Sequence, residues 1–87
     1  MAQEAFEQLT SEWTDIADII TVDASATYYI QNRGSDTLVA CEGSAKPTSA
    51  IGVLVKPYEV LKYKKGTDNL YLRAFNTNCG INITSEA

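Results

Sequence analysis

The chain carries few of the side chains that catalyse reactions. None of its 87 residues is a histidine, so the base that most often activates a serine or cysteine nucleophile is missing. The two cysteines, Cys41 and Cys79, each lie in an apolar segment typical of a strand, and neither has an activating neighbour. We interpret both as small, buried hydrophobic residues with free thiols, and a disulfide between neighbouring strands is the alternative.

Acidic residues are plentiful, but they form no recognisable catalytic or metal-binding pattern. Asp15 and Asp18 are close in sequence, yet a domain of this size rarely encloses the deep cleft that a catalytic carboxylate pair requires. The segments 15–18 and 67–69 offer oxygen ligands for calcium without resembling an EF-hand loop. Phosphate-binding and dinucleotide-binding glycine motifs are absent from the sequence. We therefore expect a protein that is not an enzyme and that has no metal site and no cofactor.

Charge is distributed unevenly along the chain, whose formal net charge is −4. The acidic residues of the first 25 positions are Glu4, Glu7, Glu12, Asp15, Asp18 and Asp23. All basic residues come later: Arg33, Lys46, Lys56, Lys62, Lys64, Lys65 and Arg73. An acidic balance disfavours nucleic acid as a partner.

The cluster Lys62, Lys64 and Lys65 has three interpretations. The first is that the lysines protect an exposed edge strand from aggregation. The second is that they form a rim that faces a partner. The third is that the acidic N-terminal segment of one subunit contacts the basic strip of another.

Membrane and export signals are not visible in the sequence. The longest apolar run falls well short of the roughly 20 residues that cross a bilayer. The N-terminus has neither the basic nor the apolar region of a secretory signal. We therefore expect no membrane partner and a location in a cytoplasm or in a particle assembled there. The glycosylation sequon at Asn82 is then a coincidence.

The first segment has an apolar stripe at helical spacing. Phe6, Leu9 and Trp13 recur at positions i, i+3 and i+7, which predicts an amphipathic helix of about three turns. A helix this short needs a surface to lie on, either its own domain or a neighbouring subunit. We expect residues 1–12 to form a short helical or extended arm. The candidate partner-binding residues are Phe6, Leu9, Trp13, Lys62, Lys64 and Lys65.

From Trp13 onward the apolar period changes to two, which indicates strands. The segments are 18–24, 26–32, 37–43, 51–57, 58–64, 70–75 and 81–86. We expect 26–43 to form a hairpin and 43–50 to cross between sheets. Because proline cannot donate to a strand ladder, Pro57 marks a corner where the chain passes from one sheet to the other.

The predicted fold is all-β: a small β-sandwich or barrel of six to seven short antiparallel strands over residues 13–87, preceded by the arm. A domain this small buries only roughly 60–65% of its unfolded surface, so we expect assembly with copies of itself or docking on something larger. The alternation also places Tyr29, Tyr58 and Tyr71 on outer faces, where aromatic rings pack within the sheet or contact a partner.

The order of strands and turns resembles that of small virion proteins of tailed bacteriophages, over residues 13–85. The matching positions are Asn32 and Gly34 in the first turn, Leu54, Pro57 and Glu59 at the corner, and Leu70, Tyr71, Arg73 and Ala74 in a later strand. Tyr58 stands where the pattern has glycine.

This resemblance implies a non-catalytic structural protein of a bacteriophage virion, assembled in the host cytoplasm. Such a protein decorates or cements the capsid, or acts at the head–tail junction, as a homo-oligomer that is often a trimer. Its partners would be further copies of itself and capsid or head–tail proteins. A tail or neck adaptor is one alternative. A carbohydrate-binding module that presents tyrosines to host-surface glycans is another.

Overall fold

Two four-stranded antiparallel sheets pack against each other in the computed structural model, which describes residues 4–23, 25–48 and 52–86. The first sheet has the order β1 (Glu4–Leu9), β8 (Cys79–Glu86), β3 (Thr27–Asn32), β6 (Val60–Lys64). The second has the order β2 (Thr14–Asp15), β7 (Asn69–Ala74), β4 (Leu38–Gly43), β5 (Val53–Val55). A single 3-10 turn, Ile16–Asp18, follows β2. The predicted all-β sandwich is confirmed, with eight strands in the described residues.

Alternate residues of each strand fill the space between the sheets. On β3 the buried positions are Tyr28, Ile30 and Asn32, and the residues between them are half-buried. The predicted inward residues of the later strands are also buried: Leu70, Leu72, Ala74, Ile81 and Ile83. Since a fully buried aliphatic side chain contributes about 1.5–3 kcal/mol, this shared core is the main stabilising contact between the sheets.

The N-terminal segment is a strand, so the helical form of the predicted arm is wrong and the extended form is observed. β1 pairs with β8, with Leu9 opposite Cys79 and Phe6 opposite Asn82. Leu9 is buried while Phe6 and Gln8 are exposed, which is the period of two that a strand requires. The helical spacing did not determine the structure because β8 offers this segment a full backbone ladder. The first three residues of the expected arm lie outside the described residues.

Two predicted connections are wrong. β3 and β4 belong to different sheets, so residues 33–37 cross the sandwich and 26–43 is not a hairpin. Conversely, β4 and β5 are neighbours in the second sheet, with Leu38 opposite Val55. The segment 43–50, of which residues 43–48 are described, therefore does not lead from one sheet to the other.

The strand predicted over 18–24 is also wrong for its described residues, 18–23. Asp15 accepts a hydrogen bond from the backbone N–H of Ala17 and caps the 3-10 turn. Ile20 beyond this turn is buried in the core. The Tyr28 hydroxyl accepts a hydrogen bond of 2.7 Å from the Asp23 N–H, so buried side chains and caps, rather than a ladder, hold this segment.

The corner predicted at Pro57 is confirmed, since β5 lies in the second sheet and β6 in the first. The Glu59 N–H donates to the Lys56 carbonyl at 3.0 Å, and Tyr58 has φ of 68°. Proline followed by a positive φ is the pattern of a type II turn. Tyr58 and Glu59 both hydrogen-bond to the backbone of Asn32, which makes the start of β6 a bulge opposite β3.

A buried asparagine ties the crossings together. The Asn32 side-chain amide donates to the carbonyls of Asp36 at 2.7 Å and Val55 at 2.9 Å. Its Oδ1 accepts from the Gly34 N–H at 2.9 Å and from the Cys79 thiol at 3.0 Å. One side chain thus fixes β3 to the 33–37 crossing, to β5 and to β8.

Candidate partner-binding surface

The outer face of the first sheet is a broad surface that combines apolar, aromatic, amide and hydroxyl groups. Register pairs place one row across all four strands: Phe6, Asn82, Gln31 and Val60. The next row contains Thr84, Tyr29 and Lys62. We call these seven residues the outer face. Phe6 is 64% and Val60 is 55% exposed, so the two edges of the outer face present apolar side chains and its centre presents amides.

Tyr58 adjoins the outer face at the start of β6. Its side chain is 67% exposed, although residues other than glycine are strained at positive φ by roughly 1–3 kcal/mol. The Gln31 side-chain amide donates to the Tyr58 carbonyl at 3.1 Å, and the Lys56 N–H donates to Glu59 Oε1 at 2.9 Å. A rigid turn therefore holds an aromatic ring in solvent, where it contributes little to the core.

The three candidate lysines separate in the structure. Lys62 and Lys64 are exposed on β6, which is an edge strand of the first sheet. Lys65 folds onto the following turn, where its Nζ donates to the carbonyls of Gly66 at 2.8 Å and Asp68 at 2.6 Å. Two of the three lysines are thus available at the surface, and the third stabilises a turn.

The three candidate apolar residues also separate. Phe6 lies on the outer face, whereas Leu9 is in the core. Trp13 is buried in a second cluster with Val39 and Tyr71. Arg73, which lies opposite Val39 in the second sheet, is 5.8 Å from the Trp13 ring centroid, a cation–π distance. Only Phe6 of the three is a large exposed side chain.

The outer tyrosines differ in their surroundings as well. Tyr58 is exposed, Tyr29 is half-buried on the outer face, and Tyr71 is buried beside Trp13. The sequence alternation identified the faces of these strands, but it did not single out Gln31, Asn82 or Val60. The period-two spacing of the strands was the only signal that could have placed these three residues on an outer face. Amide and valine side chains do not by themselves indicate a binding surface.

Both cysteines are free thiols. Burial raises the pKa of the Cys79 thiol to about 11, and the nearby Asp36 charge adds to this effect. A thiol with this pKa is protonated and a poor nucleophile at neutral pH. Cys41 is half-buried against the Trp13 cluster.

Tyr63 and Glu42 form a partly buried contact between β6 and β4. The Tyr63 hydroxyl donates to Glu42 Oε2 at 3.2 Å, and its ring lies 6.5 Å from that of Tyr28. Burial, followed by the Glu42 charge, raises the pKa of Tyr63 to about 12. This pair links the two sheets, because β6 and β4 belong to different ones.

Within the described residues, no three Cys, Asp or Glu side chains are grouped in a way that could hold a metal ion. The same part of the chain has no helix long and apolar enough to span a membrane. None of the protein-family models, curated proteins or solved structures compared with this chain matches it.

Proposed function

We propose that this protein is a non-catalytic structural component of a bacteriophage virion, and that it binds and stabilises the capsid through the outer face and Tyr58. The observation that carries the binding surface is the exposed ring of Tyr58 on a strained, hydrogen-bonded turn. The virion assignment is supported by the resemblance in the order of strands and turns, including Leu54, Pro57 and Glu59 at the corner.

The backbone strain at Tyr58 is informative because glycine would occupy this position without strain. Glycine adopts positive φ without steric cost, so the tyrosine at this turn carries a local penalty that glycine would avoid. Aromatic side chains on rigid elements are frequent anchors of protein interfaces. The neighbouring amides of Gln31 and Asn82 would supply hydrogen bonds around such an anchor.

Capsid lattices repeat the same site many times, and this favours a small binder. Weak contacts from several linked copies add up through avidity, so the modest area of one outer face is sufficient for stable attachment. A homo-oligomer, with a trimer as the favoured state, would present several outer faces to one capsid facet.

Tyr58→Gly is the variant that tests the surface, because it removes the ring while giving the turn its preferred residue. The measurement is co-sedimentation of the full chain with empty capsid shells assembled from the major capsid protein of the same genome. We expect at least about a tenfold loss of affinity, typical of a truncated aromatic anchor, with no loss of thermal stability. Phe75→Ala is the matched control, since Phe75 is an exposed aromatic that follows β7 of the second sheet.

Equal binding by Tyr58→Gly and the parent protein would refute the outer face as the capsid contact. Absence of a major capsid gene from the genome would refute the virion assignment itself. Binding to purified tails or necks and not to shells would favour the adaptor alternative.

The glycan alternative is favoured by one feature of the outer face, the mixture of tyrosine rings with amide and hydroxyl groups. Rings stack on apolar faces of sugars, and amides bond to their hydroxyl groups. Glycan-array binding by the isolated protein, abolished by Tyr58→Gly, together with no binding to shells, would replace the capsid proposal by this one.

A further inference from the structure

We infer that β1 of one copy pairs with β6 of a second copy, so that the first sheet continues from subunit to subunit in a head-to-tail assembly. This inference concerns the edges of the sheet and does not rest on the capsid proposal. β1 and β6 are the two edge strands of the first sheet, and unpaired edges readily accept another strand.

Strand direction permits this pairing. Each neighbouring pair in the first sheet is antiparallel, so β1 and β6, three steps apart, run in opposite directions. A second copy placed beside the first in the same orientation would therefore add its β1 antiparallel to β6. The strands are similar in length, with six residues in β1 and five in β6.

Charge complementarity selects the partner. β1 and β2 are edge strands on one side of the sandwich, joined by residues 10–13, and this side carries acidic residues only. These are Glu4, Glu7, Glu12, Asp15 and Asp18. β5 and β6 are edge strands on the other side, where Lys56, Lys62 and Lys64 are exposed and Glu59 is the acidic residue.

The same charges oppose the two symmetric alternatives. A two-fold pairing of β6 with β6 would bring the exposed Lys62 and Lys64 toward their own copies, and a pairing of β1 with β1 would join two strands whose charged residues are all acidic. Like charges opposite each other destabilise strand pairing. Heterologous pairing of β1 with β6 instead brings the acidic side of one copy to the side of the next copy on which Lys56, Lys62 and Lys64 are exposed, and such contacts form rings or filaments.

The register of the first sheet makes the inference specific. The row Phe6, Asn82, Gln31, Val60 continues across the junction with Val60 beside Phe6 of the next copy. The adjacent row of the same face places Lys62 beside the Glu4 position of the next copy. Glu7, which lies opposite the buried Ile81 on the other face of β1, would have Glu59 as its neighbour. Phe6 and Val60, both more than half exposed, would then cover each other, which accounts for two large apolar side chains at opposite edges.

Charge exchange tests the pairing with the full-length protein. Size-exclusion chromatography with light scattering, at about 100 μM protein, should show oligomers near 50 mM salt and a dissociation constant at least about tenfold higher near 500 mM. The variants Glu4→Lys and Lys62→Glu, which exchange the one pair of opposite charges in this register, should each weaken association by about fivefold to tenfold. Mixed in equal amounts, they should associate again to within about threefold of the parent, because each junction then joins opposite charges.

Cysteine cross-linking tests the register. In a Cys41→Ser background, Phe6→Cys mixed with Val60→Cys should form an intermolecular disulfide, since cross-strand neighbours lie within disulfide range. Phe6→Cys mixed with Phe75→Cys is the control with an exposed residue of the other sheet. A protein that is monomeric at both salt concentrations, unrestored association in the mixture, or cross-linking of Phe6→Cys only to itself would each overturn the inference.

Discussion

Replacing Asn32 by alanine should remove a large part of the stability of this domain. The buried Asn32 side chain makes four hydrogen bonds, to the carbonyls of Asp36 and Val55, the Gly34 N–H and the Cys79 thiol. Leaving the buried Val55 carbonyl without its donor costs about 2 kcal/mol. The Asp36 carbonyl and Gly34 N–H lie nearer the surface, and losing their partner costs about 1 kcal/mol each.

The sum of about 4 kcal/mol is large beside the roughly 4–13 kcal/mol expected for a domain of this length at about 0.05–0.15 kcal/mol per residue. The melting temperature should fall by roughly 16–32 °C, at about 4–8 °C per kcal/mol for small domains. Urea unfolding followed by fluorescence of Trp13, the single tryptophan and a buried one, measures the free energy directly.

Two further variants separate the causes. Asn32→Asp keeps the shape and the acceptors but removes both donated hydrogen bonds, so it should be at least as destabilised as the alanine variant. Asn82→Ala changes a half-buried asparagine on the outer face and should cost under about 0.5 kcal/mol. A loss below about 1 kcal/mol for Asn32→Ala, with an unchanged m-value, would refute the view that this side chain joins the crossings.

Three more predictions concern the same structure. Gly34→Ala should cost about 1–3 kcal/mol in urea unfolding, because its Cβ would lie 2.8 Å from the Gly80 backbone nitrogen; a neutral result would show that this crossing can shift. At high pH, stability should fall as Cys79 and Tyr63 ionise, since their raised pKa values of about 11 and 12 favour the neutral folded forms. Their contribution is complete below the ordinary values of 9.0 and 10.0 and is lost as the pH rises through the folded values; thermal melts of Tyr63→Phe should show a shallower decline, and an identical one would contradict this. At low pH, burial raises the pKa of Asp36, but hydrogen bonds from Thr77, Asn76 and Thr37 outweigh it and hold the pKa below 3.8. That contribution is present above this value and lost as the pH falls, so Asp36→Asn should flatten the acid limb of the stability profile, and an unaltered limb would argue against it.

Strand faces were predictable from the sequence because they depend on local alternation. Tyr28 and Ile30 face inward, and Tyr29 and Gln31 face outward, as the period of two requires. The Pro57 corner was predictable for a local reason as well, since the missing N–H prevents a continuous strand. Both features are determined by residues within a few positions of one another.

Strand pairing was not predictable in the same way, because a turn signal does not specify which sheet the chain enters next. Residues 33–37 have the composition of a hairpin turn, yet β3 and β4 lie in different sheets. The deciding contacts are long-range: Asn32 bonds to Val55 and Cys79, and Asp36 accepts from the N–H groups of Asn76 and Thr77. Equally, Phe6, Leu9 and Trp13 fit a helix until β8 is known to lie beside them.

The candidate surface was only partly predictable, because it too depends on which strands lie beside each other. Phe6, Lys62 and Lys64 were identified from the sequence as partner-binding candidates, whereas Asn82, Gln31 and Val60 join them only through the register of four strands. Leu9 and Trp13 were proposed as partner-binding residues because of their apolar spacing, but both side chains are buried within the domain.

The fold also converts a linear separation of charge into a spatial one. Chain neighbours β1 and β2 become the edge strands on one side, and β5 and β6 become those on the other. An acidic N-terminal segment and a lysine-rich later segment therefore become opposite edges of one molecule. A sandwich whose edges mixed both signs would have no preferred direction of association. Because these edges differ in sign, a copy that approaches β6 with its β1 is attracted, and one that approaches with its β6 is repelled. The direction of assembly that we infer thus follows from the order of strands, which is why exchanging the charges of the two edges, rather than neutralising them, is the decisive experiment.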